Sequence, residues 1–235
     1  MSTPRRLVIP NDCLDCTLRK NGDFCHLPGP ALHSLNSVGH ITWYPANATL
    51  FREGETLQGV YIVCSGRVKL SLETPEGKTV ILKIASDREV LGMSAVLAGR
   101  SAPVSVTTVD FCQISFVEQS RFLHLVATEP DVSVACAHEL ARKVNETFAD
   151  VHELLLARSS TEKLARLLLS WVANEPRNRD LRVAAEFTHE EIAQMIGSSR
   201  ETVTRLMSDM KRRELIRIEG STLVIPNRVA LQAIM

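Results

Sequence analysis

The chain of 235 residues carries 27 basic and 27 acidic side chains, so it has no whole-chain field for a polyanion and any affinity for nucleic acid must be local. Hydrophobic residues at 45% and charged residues at 23% are ordinary globular composition, sufficient for two modest domains, and they exclude a disordered chain. The first twelve residues hold two arginines but no apolar core of signal-peptide length, and no later stretch reaches the ~20 apolar residues of a membrane span. A cytoplasmic protein with no membrane partner is expected.

Six cysteines without a secretion signal argue against a disulfide framework and for metal, redox or packing roles. Cys13 and Cys16 form a C-x2-C pair, which sets two thiolates on one side of a tight turn, and Cys25 closes a loop around them. Three thiolates leave a four-ligand site one short. Cys64, Cys112 and Cys136 are candidates for the fourth, with His26 as a nitrogen alternative, and zinc would accept Cys13, Cys16, Cys25 and His26 equally well. Cys64 and Cys136, among apolar neighbours, read on their own as small buried hydrophobes. Residues 1–30 are a cysteine-rich appendage of loop or short-helix character.

Across residues 31–128 the pattern has period two: Val60, Ile62 and Cys64 alternate, as do Val68, Leu70 and Leu72, and Val80, Leu82 and Ile84. Glycines 54, 59, 66, 77, 92 and 99 punctuate it, which predicts short antiparallel strands closing into a barrel or roll. Residues 129–158 read as one long helix. Ala141, Val144, Phe148, Val151 and Leu155 recur along it in steps of three and four, a heptad seam suited to a second copy of the chain.

Residues 159–235 begin with a helix capped by Ser159 and Glu162, with Leu164, Leu167, Leu168 and Trp171 on its buried face; residues 174–180 then read as a surface loop. Thr188 caps a further helix with Glu191 as its capping-box partner, and Gly197 ends it. Ser198 is expected to cap the next helix with Glu201 three residues on, over a buried stripe of Val203, Leu206 and Met210. A hairpin around Glu219, Gly220 and Ser221 follows. The fold class expected is therefore α+β: an N-terminal antiparallel β-roll, a long dimerisation helix and a C-terminal winged helix-turn-helix.

Arg200, Glu201 and Arg205 fall off that stripe in the first turns of the second helix. There arginine can pair bidentately with guanine and glutamate can accept from cytosine in a major groove. Thr188, His189, Ser199 and Thr202 at the helix starts, and Ser221 or Thr222 in the wing, are placed to hold phosphates. Between residues 198 and 217 six cations outnumber three acids, which supplies the local basic character. His138-Glu139 and His189-Glu190 open like a zinc-protease motif, but Arg142 and Ala193 stand where its second histidine belongs, and no catalytic residue is expected.

The run from Ser199 to Arg205 is similar to the recognition-helix motif of the Crp branch of the Crp/Fnr family of bacterial transcription regulators. Gly66 before a strand and Glu76-Gly77 at a hairpin tip resemble that family's cyclic-nucleotide-binding roll. The resemblance covers nearly the whole chain. It implies a homodimer on palindromic DNA with TGTGA-like half-sites about 34 Å apart, working with RNA polymerase. The family's nucleotide cassette needs a Gly-Glu pair; here Met93 follows Gly92, ahead of Arg100-Ser101, so a cyclic nucleotide is not expected as effector. Cys112 stands where Fnr proteins carry the internal ligand of a 4Fe–4S cluster, with Cys13, Cys16 and Cys25 like their N-terminal ligands. The resemblance thus implies a sensor of oxygen, nitric oxide or redox state, with a zinc or thiol–disulfide switch as the alternative.

Overall fold

The computed structural model describes residues 13–16, 19, 24–156, 159–172, 181–184, 187–220 and 222–235. It divides into two compact units, residues 1–73 with 82–146, and residues 74–81 with 147–235. In the first, α1 (Gly29–Val38) leads into β1 (Gly39–Tyr44), β2 (Thr49–Phe51), β3 (Gly59–Ser65), β4 (Val68–Glu73), β5 (Thr79–Ala85) and β6 (Val90–Leu91). The helix α2 (Met93–Ala98), strands β7 (Ser105–Thr108) and β8 (Cys112–Glu118), helix α3 (Gln119–Thr128) and α4 (Pro130–Leu156) as far as Glu146 complete it; Thr79–Ile81 of β5 and the rest of α4 group with the second unit. Two four-stranded sheets form the expected roll, in the orders β1-β8-β3-β6 and β2-β7-β4-β5.

The helix α1 was not anticipated. Pro28 and Pro30 flank its first residue, where a fixed φ suits the opening turn, and Ala31, Leu32 and Leu35 are buried. The inward face of β5 is also corrected: Ile81 and Ala85 are buried while Leu82 is 52% exposed, so Val80, Leu82 and Ile84 do not form the inner row. This strand has apolar residues on both faces, and a shift of one residue exchanges the two. Gly59 sits so close to β8 that a Cβ there would lie 2.2 Å from the Val117 carbonyl oxygen, which forces a glycine at the start of β3.

The first part of α4 is anchored by charge as well as packing. Glu139 is buried, and Arg142 donates to both its oxygens, at 2.6 and 3.0 Å, with Lys143 3.5 Å away. Lys143 also donates to the Val90 carbonyl of β6, and Lys83 of β5 bridges Glu89 at 2.7 Å and Glu146 at 2.9 Å. Further along, Val144, Phe148 and Val151 are 52, 70 and 47% exposed. Ala141 is exposed too, as are Val134 and Ala137, which extend the same heptad spacing toward the start of the helix. The Leu155 side chain lies outside the described residues.

The second unit contains α5 (Ser160–Trp171), β9 (Leu181–Ala184), α6 (His189–Ile196), α7 (Arg200–Arg212), β10 (Arg217–Glu219), β11 (Thr222–Ile225) and α8 (Arg228–Gln232). Its core gathers Leu164 and Leu168 from α5, Ile192 and Ile196 from α6, Val203, Met207 and Met210 from α7, and Leu223 and Ile225 from β11. The strand β9 was unforeseen; it adds to the wing hairpin to give the order β10-β11-β9. The loop read at 174–180 and the wing residue Ser221 lie outside the described residues. Among the described residues no helix is long and apolar enough to cross a membrane.

Replacing Glu139 by glutamine leaves Arg142 and Lys143 without their buried counter-charge. A loss of about 2–3 kcal/mol is expected, since hydrogen bonds to charged groups are worth that much; urea unfolding should show it as a lower midpoint with an unchanged slope.

Candidate nucleic-acid interface and thiol chamber

The α6–turn–α7 unit is set by local chemistry. Thr188 accepts from the Glu191 N–H at 3.2 Å while Glu191 accepts from the Thr188 N–H at 2.9 Å, a complete capping box of the kind worth about 1 kcal/mol. Gly197 is left-handed, at φ 61°, and it and Ser198 both donate to the Ala193 carbonyl. Ser198 is therefore still part of the end of α6, and Ser199, not Ser198, is the residue that caps α7, accepting from the Thr202 N–H at 3.2 Å. The buried stripe is Val203, Met207 and Met210, with Leu206 at its half-buried edge.

Arg200, Glu201 and Arg205 are all exposed at the start of α7. The Glu201 carboxyl is held below its usual range, first by its own backbone N–H and then by the Ser199 hydroxyl, which keeps it ionised as an acceptor. Thr188 and Ser199 spend their hydroxyls on capping; Thr202 is half-buried beside its cap. His189 reaches across to α7: the Thr204 hydroxyl donates to the Arg200 carbonyl at 2.9 Å, so its oxygen accepts from His189 Nδ1 at 2.9 Å. That contact ties the two helices beside the exposed arginine, and sequence reasoning missed Thr204 because only the packing of α6 on α7 brings the pair together.

A second arrangement lies in the first unit. Cys13, Cys16, Cys25 and Cys64 line one cavity of about 30 Å³, together with Arg19 and Arg88, against Leu32 and Leu35 of α1. The Cys13 N–H donates to Asn36 Oδ1 at 2.9 Å, which docks the cysteine turn on α1, and Arg19 donates to the Cys16 and Leu14 carbonyls at 3.1 and 2.9 Å. Cys64 stands at a break in register between Val63 and Ser65 on β3. Burial first, and then the field of Cys13, push its thiol up to about 12, against a hydrogen bond from the Ser115 backbone. Cys64, read as a buried packing residue and a candidate fourth ligand, lines the chamber.

Cys112 does not line that chamber. It is buried, its Sγ donates to the Arg67 carbonyl at 3.2 Å, and Asp110 lies beside it. Gly66, left-handed at φ 91°, makes room for the sulfur, since a Cβ there would sit 2.7 Å from it. The expected set of Cys13, Cys16, Cys25 and Cys112 is thus not brought together. Cys136 is buried in the core, and the cassette residues part company: Met93 is buried while Arg100 is exposed. Among the described residues no three His, Cys, Asp or Glu side chains are gathered tightly enough to hold one metal ion.

Residues 162–234 match the Crp-like helix-turn-helix domain, and residues 41–129 match the cyclic nucleotide-binding domain. Together the two matches span well over half of the chain in the order this fold requires. The chain belongs to the Crp/Fnr family of transcription regulators. As a Crp/Fnr protein it is a DNA-binding regulator. It is 28% identical to a CRP-like cAMP-activated global transcriptional regulator of Mycobacterium tuberculosis, over 90% of this chain and 95% of that protein. It is 27% identical to the cAMP-activated global transcriptional regulator CRP of Salmonella typhimurium, over 83% of this chain and 94% of that one. In fold it resembles the c-di-GMP responsive global regulator CLP of Xanthomonas campestris, with TM-score 0.73, 19% identity, and 85% of this chain and 100% of that one covered. FixK2 of Bradyrhizobium japonicum gives TM-score 0.70 at 21% identity, with 83 and 96% covered.

Burial, then the negative field of Asp110, push the Cys112 thiol up to about 12. A raised value keeps it protonated at pH 8, so iodoacetamide should leave Cys112 unlabelled in the folded protein and modify it in urea, as peptide mass spectrometry would read. Rapid labelling of the native protein would contradict the buried placement.

Proposed function

We propose that this Crp/Fnr protein acts as a homodimer on a palindromic operator with TGTGA-like half-sites, in concert with RNA polymerase, and takes its signal through the cysteine segment of the first unit. The observation that carries the sensing part is the convergence of Cys13, Cys16, Cys25 and Cys64 on one chamber with two arginines. The alternative site of the family offers less: where a carboxylate would meet a ribose hydroxyl, Met93 is buried in the core. Thiolates are the donors that an iron–sulfur cluster or zinc takes, although among the described residues no three of them stand as a bound metal ion requires. A 4Fe–4S cluster, when bound, supplies a centre sensitive to oxygen and nitric oxide.

The chain's own residues provide the route from that chamber to the dimer helix. Val63, next to Cys64, exchanges backbone hydrogen bonds with Arg88 at 2.6 Å and Glu89 at 2.9 Å, and Val90 of the same segment accepts from Lys143 of α4. A change in the position of Cys64 is therefore felt where α4 is held. On DNA, Arg200, Glu201 and Arg205 read bases, and the exposed heptad positions Ala141, Val144, Phe148 and Val151 meet their symmetry mates so that two recognition helices face successive major grooves.

Protein purified without oxygen should be brown, contain iron and sulfide, and bleach in air with a change in operator affinity at fixed salt. Colourless, zinc-loaded protein would move the switch to zinc or thiol chemistry. Affinity that is the same in both states would remove the sensing role altogether.

Two substitutions address the DNA reading. Arg200→Ala should cost about 1–3 kcal/mol at a TGTGA half-site and relax the preference at one base pair, as measured by competition binding. Phe148→Glu should give a monomer by light scattering and lower operator affinity by roughly 100-fold, because the two half-site contacts no longer reinforce each other.

A further inference from the structure

We infer that the cavity between the helix-turn-helix and the wing of the second unit binds a small uncharged aromatic molecule, of one or two rings with a single N–H or O–H donor, and that this occupant braces the wing against α7. The inference rests on the reading of this unit as the part that binds the operator. It adds to that reading a ligand site made of second-unit residues.

The cavity measures about 210 Å³, against about 30 Å³ for the thiol chamber, and its described lining lies within one unit. An apolar cavity of about 150 Å³ takes up benzene, so this one has room for a ring with a second ring or a substituent. Trp171 at the end of α5 and Phe187 ahead of α6 form one wall, a tilted pair with ring centroids 5.2 Å apart. Ile192 of α6, Met207 of α7 and Leu223 of β11 line it from the core of the unit, and Ile218 of β10, 41% exposed, from the wing. Aromatic rings, a flexible thioether and branched aliphatic carbon are the surroundings that hold an aromatic face.

Charge and hydrogen bonding narrow the class. No Lys, Arg, Asp or Glu is among the described residues that line the cavity, so an ionised ligand, a nucleotide phosphate included, meets no counter-charge there. His189 supplies the polar contact. Its Nδ1–H is taken by Thr204 Oγ1 at 2.9 Å, because that hydroxyl directs its own proton to the Arg200 carbonyl. In a neutral imidazole the other nitrogen is then an acceptor, and among the described residues Nε2 has no hydrogen-bond partner. Apolar walls with one acceptor select an aromatic donor over a hydrocarbon of the same shape.

The location gives the site its consequence. His189 reaches the backbone of Arg200 through Thr204, and Met207 belongs to the same helix α7, while Ile218, Gly220 and Leu223 belong to the wing hairpin. A molecule touching both sides holds the wing against α7 before DNA arrives, so less ordering remains to be done at the operator.

Indole is the probe, with indene, which has the same two rings and no N–H, as its control. The full chain is titrated with each by calorimetry, without DNA, as wild type, His189→Leu, His189→Gln and Ile218→Trp, after thermal melts establish that each is folded. One indole per chain is expected, with indene about tenfold weaker or more, since it leaves the acceptor unpaired. His189→Leu should weaken indole by about the same factor, while His189→Gln, which keeps an acceptor, recovers most of that loss. Ile218→Trp, which fills the cavity from an exposed position on the wing, should abolish binding and tests the site even where a change at His189 costs the fold. No binding by wild type, equal affinity for indole and indene, or affinity unchanged by Ile218→Trp overturns the site.

Operator binding is then measured at one salt concentration with and without indole. Affinity about fivefold higher or more with indole is expected for wild type, with no response in Ile218→Trp, and by linkage the operator should tighten indole by the same factor. Operator affinity that is unchanged or lowered while calorimetry shows the site filled overturns the bracing role. A chain that binds indole as expected but binds no TGTGA operator in either state fails the half-site reading and overturns the bracing role with it, while the ligand site itself stands.

Discussion

The first unit is organised by the pairing of β3 with β8, which runs from Gly59↔Glu118 to Ser65↔Gln113 at the centre of a sheet that also holds β1 and β6. On its other side β3 pairs with β6 at Tyr61 and Ile62, and Val63 bonds to Arg88 and Glu89, so the strand is held on both sides up to the residue before Cys64. Gly59 fixes where the pairing starts, since no side chain fits against Val117. The bulge at Cys64 fixes where it ends. The thiol chamber follows from a strand that is paired on both sides up to Val63 and breaks register one residue later.

The second unit depends on shorter-range forces, and this explains how much of each was legible beforehand. The helix ends around Thr188 and Gly197 are decided within a few residues, so the helix-turn-helix and the exposed Arg200, Glu201 and Arg205 follow from the sequence. The one-residue error at the next cap has a local cause as well: Ser198 and Ser199 are chemically alike, and only the bond from Ser198 to Ala193 assigns the first of them to α6. By contrast, which cysteines meet is a question of long-range contacts. The helix α1, the sheet order and the bulge jointly carry Cys64 to the N-terminal turn, and none of them leaves a periodic trace. Strand β9 was missed for a similar reason, being a short piece completed only by its pairing with β11.

The charge network on α4 joins these two kinds of organisation. Glu139, Arg142, Lys143 and Glu146 pair with one another along one helix, while Lys143 also donates to the Val90 carbonyl of β6 and Glu146 accepts from Lys83 of β5, so the helix is indexed against the sheet by hydrogen bonds of defined direction. Hydrophobic contact alone would tolerate a small slide along the groove. The bonds from Lys143 to Val90 and from Lys83 to Glu146 do not, and a rearrangement of the segment containing Arg88, Glu89 and Val90 would have to move these charged contacts with it.

The exposed row from Val134 to Val151 has a consequence for gene dosage. Most of its members are small or β-branched, with Phe148 the one aromatic, so the face has limited apolar area to contribute to association. Where a homodimer is scarce relative to its monomer, its abundance rises with the square of the total chain. Operator occupancy then responds to the rate of synthesis as well as to any signal, and a promoter that controls this protein's own production would register small changes in expression as larger changes in output.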